Sequence, residues 1–483
     1  MSAQPTAGGG DAPSRAAPAG ALAFVALAGV ALLGNGLKAV VTSTVLVGEA
    51  QFAAFLAIPV EHVATLMQAI VAGMVIALAA VPLLLQRFQA RALAMAACVV
   101  AMLSFGGFAL VDHLQPSAWQ REIATFATLA LGAGAVACLA PAAQALVLTW
   151  PTAVGRTTLT TLWTGAAPGG FLVAPQLVKF ALPAVGLAAY FATFAVLPLV
   201  LLGLLLALGF ALRAPPAADA TDAALPVRVL VAFIAVVAGF EVWSTLGSVT
   251  RYLAPGTLAA LLVLAVLAAW LARAVSALPA PDAMVGSAYL LLAALFVVNI
   301  ATTGFFEAAY LTQRFRDEAF VADRSTIAAA AQIAGTFAAG ALAHRRPAAQ
   351  RALLQGFAAV TLAGLASYVA YPWIDARTYF LWTPAVAGFG SAGVTVLVCL
   401  AVLPAGARLP MLAALPSIAI MLGTELGLEA LQVLFAVVTA PGTSYAIAYA
   451  TLFAAQAAIV LAAPWLLATA YRRVTPANAG SGA

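Results

Sequence analysis

The chain has 483 residues, of which 65% are hydrophobic and only 8% are charged. Soluble globular domains carry about 25% charged residues, so this composition excludes a water-soluble globule. The net charge of +5 comes from basic residues that stand singly or in pairs, and this pattern argues against a nucleic-acid-binding surface. The three cysteines have no paired spacing, so we expect neither a disulfide framework nor a metal site.

Apolar runs of spanning length divide the chain into segments, and such spans must be helical because lipid offers no partner to free backbone groups. We therefore predict an all-α polytopic membrane protein with about 14 transmembrane helices, although 12 spans remain possible if the central pair packs differently. In chain order the predicted segments are a disordered cytoplasmic tail (1–18), a first six-helix half (19–212), a cytoplasmic linker (213–228), two additional transmembrane helices (229–286), a second six-helix half (287–471) and a cytoplasmic tail (472–483).

The basic residues of the short loops predict the orientation, since cytoplasmic loops carry an excess of arginine and lysine. With the amino terminus inside, the inner loops hold more basic residues than the outer loops. We therefore expect a multi-pass protein of the cell inner (plasma) membrane with both termini cytoplasmic. Three arginines that fall on predicted outer loops, Arg314, Arg316 and Arg324, run against this rule.

Two loops share a sequence pattern. Residues 84–93 read "LLQRFQARAL" and contain Arg87 and Arg91, and a later segment reads "GALAHRR", from Gly340 to Arg345 and Arg346. The pattern resembles the loop motif of the major facilitator superfamily, in which a glycine, an acidic residue and arginines close the second span of each half. The resemblance implies a conformational role for these five residues, although glutamine and histidine stand at the acidic position here.

A second resemblance lies in the segment 131–178. Arg156 follows a glycine at the start of a span, and Gly170-x-x-x-Ala174-Pro175 resembles the antiporter motif of the fifth span in that superfamily. Small residues there permit close approach of helices. With the two additional spans, the chain resembles the fourteen-helix drug:proton antiporter branch. The resemblance implies conformational roles for Arg156, Gly170 and Pro175. However, Lys38 stands close to where that branch usually carries an aspartate.

Two glutamates, Glu425 and Glu429, stand four residues apart in an apolar run, so they project from one helix face about one turn apart. Two ionised carboxylates at that spacing repel in low dielectric, and at least one should hold a proton near neutrality. Proton coupling is our interpretation of the pair. Lining of a water-filled cavity and pairing with another span are the alternatives.

Lys38 lies in "LLGNGLKAVV", where Gly34 and Gly36 flank Asn35. Glycine weakens helical order, so we expect this stretch to loosen the first span and to let Lys38 reach a central cavity. There Lys38 would pair with a glutamate of the opposite half or attract an anionic substrate. The alternative is that its side chain extends to the outer surface.

Glu307 is a third intramembrane acid, and such residues are functional candidates because charges are costly in lipid. Phe306 and Tyr310 stand beside it, and aromatic rings near an acid suit an amphipathic or cationic ligand. We therefore assign Glu307 to proton coupling together with Glu425 and Glu429. The predicted substrate-binding residues are Lys38, Asn35, Phe306, Glu307, Tyr310, Asn299 and Gln332.

The sequence contains no phosphate-binding loop and no metal-ligand spacing, so we expect no enzymatic activity, no cofactor and no ATP drive within this chain. The resemblance implies proton-coupled efflux of hydrophobic or amphipathic small molecules by alternating access. The expected partners are a small-molecule substrate, protons, the lipid bilayer and an envelope-spanning adaptor, with no nucleic acid. Alternatives are an organic-anion transporter anchored by Lys38 and a non-transporting membrane sensor or scaffold.

Overall fold

The structure is a computed structural model that describes residues 20–58, 60–114, 117–211, 227–250, 283–302, 305–408, 415–439 and 444–474. The predicted amino-terminal tail, most of the central linker and the second additional span, predicted at 256–277, lie outside these residues. The side chains of Phe306, Glu425 and Glu429 also lie outside the described part of the chain, although the backbone there is helical.

Every regular element in the described residues is a helix, which confirms the all-α prediction. Eight helical stretches among them are long and apolar enough to cross a membrane, so the total number of spans stays a prediction. The helices are α1 (Ala21–Val47), α2 (Glu49–Leu56), α3 (Val60–Arg87), α4 (Ala90–His113), α5 (Ala118–Leu148), α6 (Ala153–Phe180), α7 (Leu182–Val185), α8 (Leu187–Phe194), α9 (Val196–Ala211), α10 (Val227–Thr250), α11 (Ala283–Ala301), α12 (Phe305–Phe315), α13 (Glu318–Arg345), α14 (Gln350–Tyr368), α15 (Arg377–Arg408), α16 (Leu415–Val438), α17 (Tyr445–Val460) and α18 (Ala462–Val474).

The first helix departs from the sequence prediction. α1 continues without interruption through Gly34, Asn35 and Gly36, so the expected loosening is wrong. A Cβ atom on Gly36 would lie 3.3 Å from the carbonyl oxygen of Ala166 in α6, and one on Gly34 would lie 2.9 Å from the Cβ of Ala143 in α5. The two glycines therefore serve close helix packing, because the backbone of α1 approaches both neighbours.

The start of the second half also differs from the prediction. The span predicted at 287–311 is two helices, since α11 ends at Ala301 and α12 begins at Phe305. The next helix, α13, begins earlier than the predicted span at 325–343, because the Asp317 side chain accepts a hydrogen bond from the Phe320 backbone at 3.0 Å and caps the helix. Arg324 therefore lies inside α13, and its assignment to an outer loop is wrong.

The chain contains a structural repeat. α3 and α13 each have 28 residues and each ends in an arginine, Arg87 and Arg345. A short helix precedes each of them, and the positive φ of a non-glycine residue occurs in both connections, at Ala57 (57°) and Arg316 (50°). The same sequence of elements therefore occurs in the α1–α9 group and in the α11–α18 group.

Each group has its own apolar core. The first cluster is formed mainly by α1–α9, with a nest of aromatic rings that includes Phe52, Phe105 and Phe191. Two further clusters belong to α11–α18, and one of them contains the rings of Tyr371 and Phe453. Because most buried apolar side chains pack within their own group, each group is held together mainly by itself.

The two groups meet toward one end of the bundle, which we call the basic end because Arg87, Arg156 and Arg345 lie there. Along α6 and α13, a Cβ on Gly340 would lie 2.4 Å from Thr161 Oγ1, and one on Gly165 would lie 3.3 Å from Thr336 Cγ2. Between α5 and α15, the Cys399 side chain lies close to that of Gln144 and packs into the apolar cluster of the first group. We call these contacts together the basic-end seam.

Helix α10 is the first of the two predicted additional helices, and it packs on α3. Val237 of α10 forms a small buried cluster with Val75 and Ala79 of α3, and Met421 and Leu422 of α16 pack against the same cluster. α10 therefore lies where a helix of the first group meets a helix of the second.

The crossing of α1 and α6 generates a stability prediction, because a Cβ on Gly170 would lie 2.7 Å from the carbonyl oxygen of Gly36. We expect Gly170→Ala to lower the free energy of unfolding by about 1–3 kcal/mol through overpacking. Gly169→Ala is the matched control, since its Cβ would meet nothing within 4 Å in the same helix. It should leave stability unchanged or raise it by about 1 kcal/mol through helix propensity. Unfolding in detergent measures both, and equal effects of the two substitutions would contradict the prediction.

Candidate functional site

Among the candidate residues, Glu307 has hydrogen-bonding partners for both of its carboxylate oxygens. It lies in the first turn of α12, and its side chain is 1% exposed. Arg324 of α13 donates from Nε to Glu307 Oε1 at 3.0 Å and from Nη2 to Oε2. The Tyr371 hydroxyl donates to the same Oε1 at 2.7 Å and is in turn hydrogen-bonded to Thr383 of α15. α13 and the segment around Tyr371 therefore both contact this carboxylate of α12, and α15 holds Tyr371 through Thr383.

This arrangement determines what Glu307 can do in the state described. Bringing a charge into a low-dielectric bundle is costly, and a buried ion pair offsets that cost only with good geometry and additional hydrogen bonds. Glu307 has both, because the guanidinium of Arg324 is bidentate and Tyr371 supplies a third donor. In the state described, both oxygen atoms of the Glu307 carboxylate are therefore engaged by residues of its own group.

Two ion pairs lie beyond Glu307, at the end of the bundle opposite the basic end, and we call them together the charged clamp. Arg314 pairs with Asp375, and Arg377 at the start of α15 donates to Asp317 at 2.9 Å. Tyr310 lies between this clamp and Glu307, and its hydroxyl donates to the backbone oxygen of Tyr371 at 3.2 Å. Tyr310 is buried among other rings, so in this state it packs within the second group.

Lys38 lies on the inward face of α1. Its helical neighbours on that face, Gly34 and Thr42, contact α5 and α3 respectively, the latter through a 3.6 Å contact from Thr42 Oγ1 to the sulfur of Met74. Lys38 is 8% exposed, and no hydrogen bond or ion pair joins its Nζ to any residue that the structure describes. Two buried cations therefore differ in their surroundings. Arg324 is paired with Glu307, whereas Lys38 has no charged partner among the described residues.

Glu425 and Glu429 lie in α16, but their side chains are outside the described residues, so their proton-coupling role stays a prediction. Earlier in the same helix, Met421 and Leu422 pack against the cluster shared with α3 and α10. This part of α16 therefore contacts the first group.

The remaining substrate candidates are dispersed. Asn35 donates from Nδ2 to the backbone oxygen of Trp163 at 2.7 Å and so ties α1 to α6. Asn299 donates to Leu295 in its own helix at 2.8 Å, and Gln332 borders Gly388 of α15. Phe306 lies outside the described side chains. The structure brings Glu307 and Tyr310 together through Tyr371, and it shows no contact between Lys38 and Glu307.

The conformational-motif candidates lie mostly at the basic end. Arg91 donates to the backbone oxygen of Leu205 at 2.9 Å, and Arg156 donates to that of Trp150 at 2.9 Å. Gly340 and Gly170 lie at close helix crossings, as described above, and Pro175 lies within α6. The exposed members of the set are Arg87, Arg345 and Arg346.

The sequence analysis missed the partners of Glu307, namely Arg324 and Tyr371, and also Thr383, which is hydrogen-bonded to Tyr371. A signal for Arg324 was present, since an aspartate directly before an acidic residue and an apolar run is a helix-start pattern, and it would have placed residue 324 inside the helix. No comparable signal identifies Tyr371, which lies in a short 3-10 helix between α14 and α15.

The paired carboxylate generates a prediction. We expect Arg324→Met to lower the free energy of unfolding by about 3–5 kcal/mol, because it leaves Glu307 buried without its cation. Adding Glu307→Gln should restore most of that loss, since the second substitution removes the unpaired charge. Arg377→Met, which breaks an ion pair with a 56% exposed arginine, should cost at most about 1 kcal/mol. Unfolding in detergent of the unmodified protein, the two single variants Arg324→Met and Glu307→Gln, and the double variant measures the coupling, with Arg377→Met as the control. Additive effects of the two buried substitutions would contradict the prediction.

Comparison with known proteins adds structural likeness without sequence likeness. No protein-family model and no curated protein matches the sequence. The structure is similar to that of the human organic anion transporter MFSD10 (TETRAN), with a TM-score of 0.63, 15% identity and coverage of 92% of this chain and 99% of that chain. It is also similar to a bacterial homologue of the iron transporter ferroportin in the outward-facing state, with a TM-score of 0.61, 14% identity and coverage of 93% and 99%.

A third similar structure is that of the proton:xylose symporter XylE, with a TM-score of 0.59, 15% identity and coverage of 92% of this chain and 94% of that chain. At sequence identities of 14–15%, the similarity concerns the fold alone. Together with the repeated helix pattern and the seam between two groups of helices, these matches show that the chain has the fold of the major facilitator superfamily of transporters.

Proposed function

We propose that this protein is a secondary active transporter that moves an organic anion across the cell inner membrane by alternating access, with Lys38 as the anion-binding residue. The observation that carries the proposal is the enclosure of Lys38 without a partner among the described residues. An unpaired cation in a membrane bundle is costly, and such residues lie on substrate or ion pathways by default. An anionic substrate would supply the missing charge.

The charges of this chain favour an anionic substrate over a cation. One of the similar structures is described as an organic anion transporter, while others are described as a homologue of an iron transporter and as sugar symporters. Within this chain, the buried acid Glu307 is already compensated by Arg324, so it does not offer a free negative charge to a cationic substrate. The hydrophobic surroundings of Lys38 favour an anion with an apolar body.

The seam supports the alternating-access part of the proposal. Contacts between the two groups lie toward the basic end, and the positive-inside rule favours a cytoplasmic location for that end. Under this proposal, the state described is closed toward the cytoplasm. Rocking of the two halves would open this seam and close the opposite one.

Proton-coupled efflux of amphipathic compounds is the second candidate, and it can operate together with the first. It is favoured by Glu425 and Glu429, which stand four residues apart in α16, a helix whose Met421 and Leu422 contact the first group. Similar structures include a proton:xylose symporter and a fucose:proton symporter. The drug:proton antiporter branch and an envelope-spanning adaptor remain part of this second proposal.

Transport in proteoliposomes tests the role of Lys38. We expect Lys38→Met to reduce uptake of anionic amphiphiles by roughly tenfold or more, because the charge partner of the substrate is lost, while Lys38→Arg retains part of the activity. Uptake of cationic amphiphiles should not depend on Lys38. The matched control is Lys179→Met, since Lys179 is exposed at the far end of α6.

Stability gives this test a second readout. Lys38→Met removes an unpaired buried charge at similar volume, so its thermal unfolding temperature should rise while anion transport falls. A variant that loses both stability and transport would instead indicate that Lys38 has a structural partner. Binding of anions without flux by the unmodified protein would favour the sensor or scaffold hypothesis.

An imposed pH gradient tests proton coupling. We expect substrate-stimulated proton flux in liposomes, and we expect Glu425→Gln or Glu429→Gln to abolish it because an amide cannot carry the proton. Glu122→Gln is the control, since Glu122 is an exposed acid near the start of α5. Unchanged proton flux in both α16 variants would contradict the assignment of the pair.

A further inference from the structure

The basic-end seam contains buried polar side chains that the proposed function does not use. Gln144 of α5, Thr160 of α6 and Ser417 of α16 are 2%, 0% and 1% exposed. Each has a buried oxygen atom, Oε1, Oγ1 and Oγ respectively, without a hydrogen-bond partner among the described residues. They come from three helices and from both groups.

Each of the three lies beside a contact between the groups. Gln144 is in contact with Cys399 of the second group. Thr160 directly precedes Thr161, which meets Gly340 of α13. Ser417 directly precedes Ile418, which packs into the core cluster of the first group. All three stand toward the basic end of their helices.

Unpaired polar atoms are unfavourable in such a seam. A buried hydroxyl or amide oxygen without a donor loses its hydrogen bonds to water and gains nothing in return, so alanine or valine would fit the closed seam better. Such groups are favourable only in a state where water reaches them. Their presence on three helices therefore indicates that this surface is hydrated in another state of the protein.

We propose that Gln144, Thr160 and Ser417 line a water-filled exit at the basic end when the two groups separate there. This inference rests on the proposed alternating access, and it assigns the lining of one specific opening. Hydration of the three oxygen atoms partly offsets the packing lost when the seam opens. The three side chains thus shift the equilibrium toward the open state, and they supply hydrogen-bonding groups to the polar part of a departing substrate.

Cys399 provides a native reporter of opening. The sequence has three cysteines, so Cys399 is the only one left in a variant that carries Cys98→Ala and Cys138→Ala. In the closed seam, the Cys399 side chain is 1% exposed. Its rate of reaction with N-ethylmaleimide in proteoliposomes measures how often the seam opens. Thr160→Val and Ser417→Ala each remove an orphaned hydroxyl without touching Cys399. We expect each to slow the labelling on the order of tenfold, because the closed state no longer holds an unsatisfied group.

Thr125→Val is the matched control. Thr125 is also fully buried with an unpaired Oγ1, but it lies toward the opposite end of α5. Its replacement should leave the labelling rate of Cys399 unchanged. Thermal unfolding confirms that all three variants are folded, and anion uptake is measured on the same vesicles.

The outcomes separate the two proposals. Slower labelling in the Thr160 and Ser417 variants, but not in the Thr125 variant, supports the water-filled exit. Unchanged or faster labelling in both seam variants, with anion uptake intact, overturns the exit and leaves the transporter standing. Equal slowing in the control also overturns it, since the effect would then not belong to the seam. Absence of uptake together with absence of labelling in the unmodified protein overturns both.

Discussion

The structure depends on one constraint, which is that a charge inside an apolar bundle must be compensated by the protein or by something it binds. Glu307 satisfies this constraint internally, since Arg324 and Tyr371 supply three donors to its carboxylate. Lys38 does not, because none of the described residues faces its ammonium group with an acceptor. The same physical rule therefore applies differently to the two residues: the charge of Glu307 joins helices of the second group, whereas the charge of Lys38 has no partner among the described residues, which is the basis of its proposed role in anion binding.

Close approach of helices organises the space around these charges. Gly36 and Gly170 let α1 and α6 cross with almost no side chain between them, and Gly340 does the same between α6 and α13. α6 therefore packs tightly on its own group along one face and on the other group along another. α6 therefore connects the seam with α1, which carries Lys38, through closely packed helix contacts.

Much of the fold was predictable from the sequence, because apolar length and loop arginines are strong signals in a membrane protein. The geometry of the candidate site was less predictable from the sequence. Gly34 and Gly36 were interpreted as helix breakers, whereas sequence alone does not distinguish a glycine that loosens a helix from one that admits a neighbour. Arg324 was assigned to a loop since its partner, Glu307, lies in a different helix, and side-chain pairing of this kind depends on tertiary packing. For Glu425 and Glu429, the sequence remains the main source of the hypothesis.

The position of α10 has a mechanical consequence. Its Val237 shares one small cluster with α3 and with the start of α16, so three helices from different parts of the chain are in mutual contact there. If the two groups rock against each other, α10 has to slide along at least one of these neighbours, which adds friction on one flank of the molecule. The packing of Val237 would then influence the speed of any such movement, although this residue lies far along the chain from both Lys38 and Glu307.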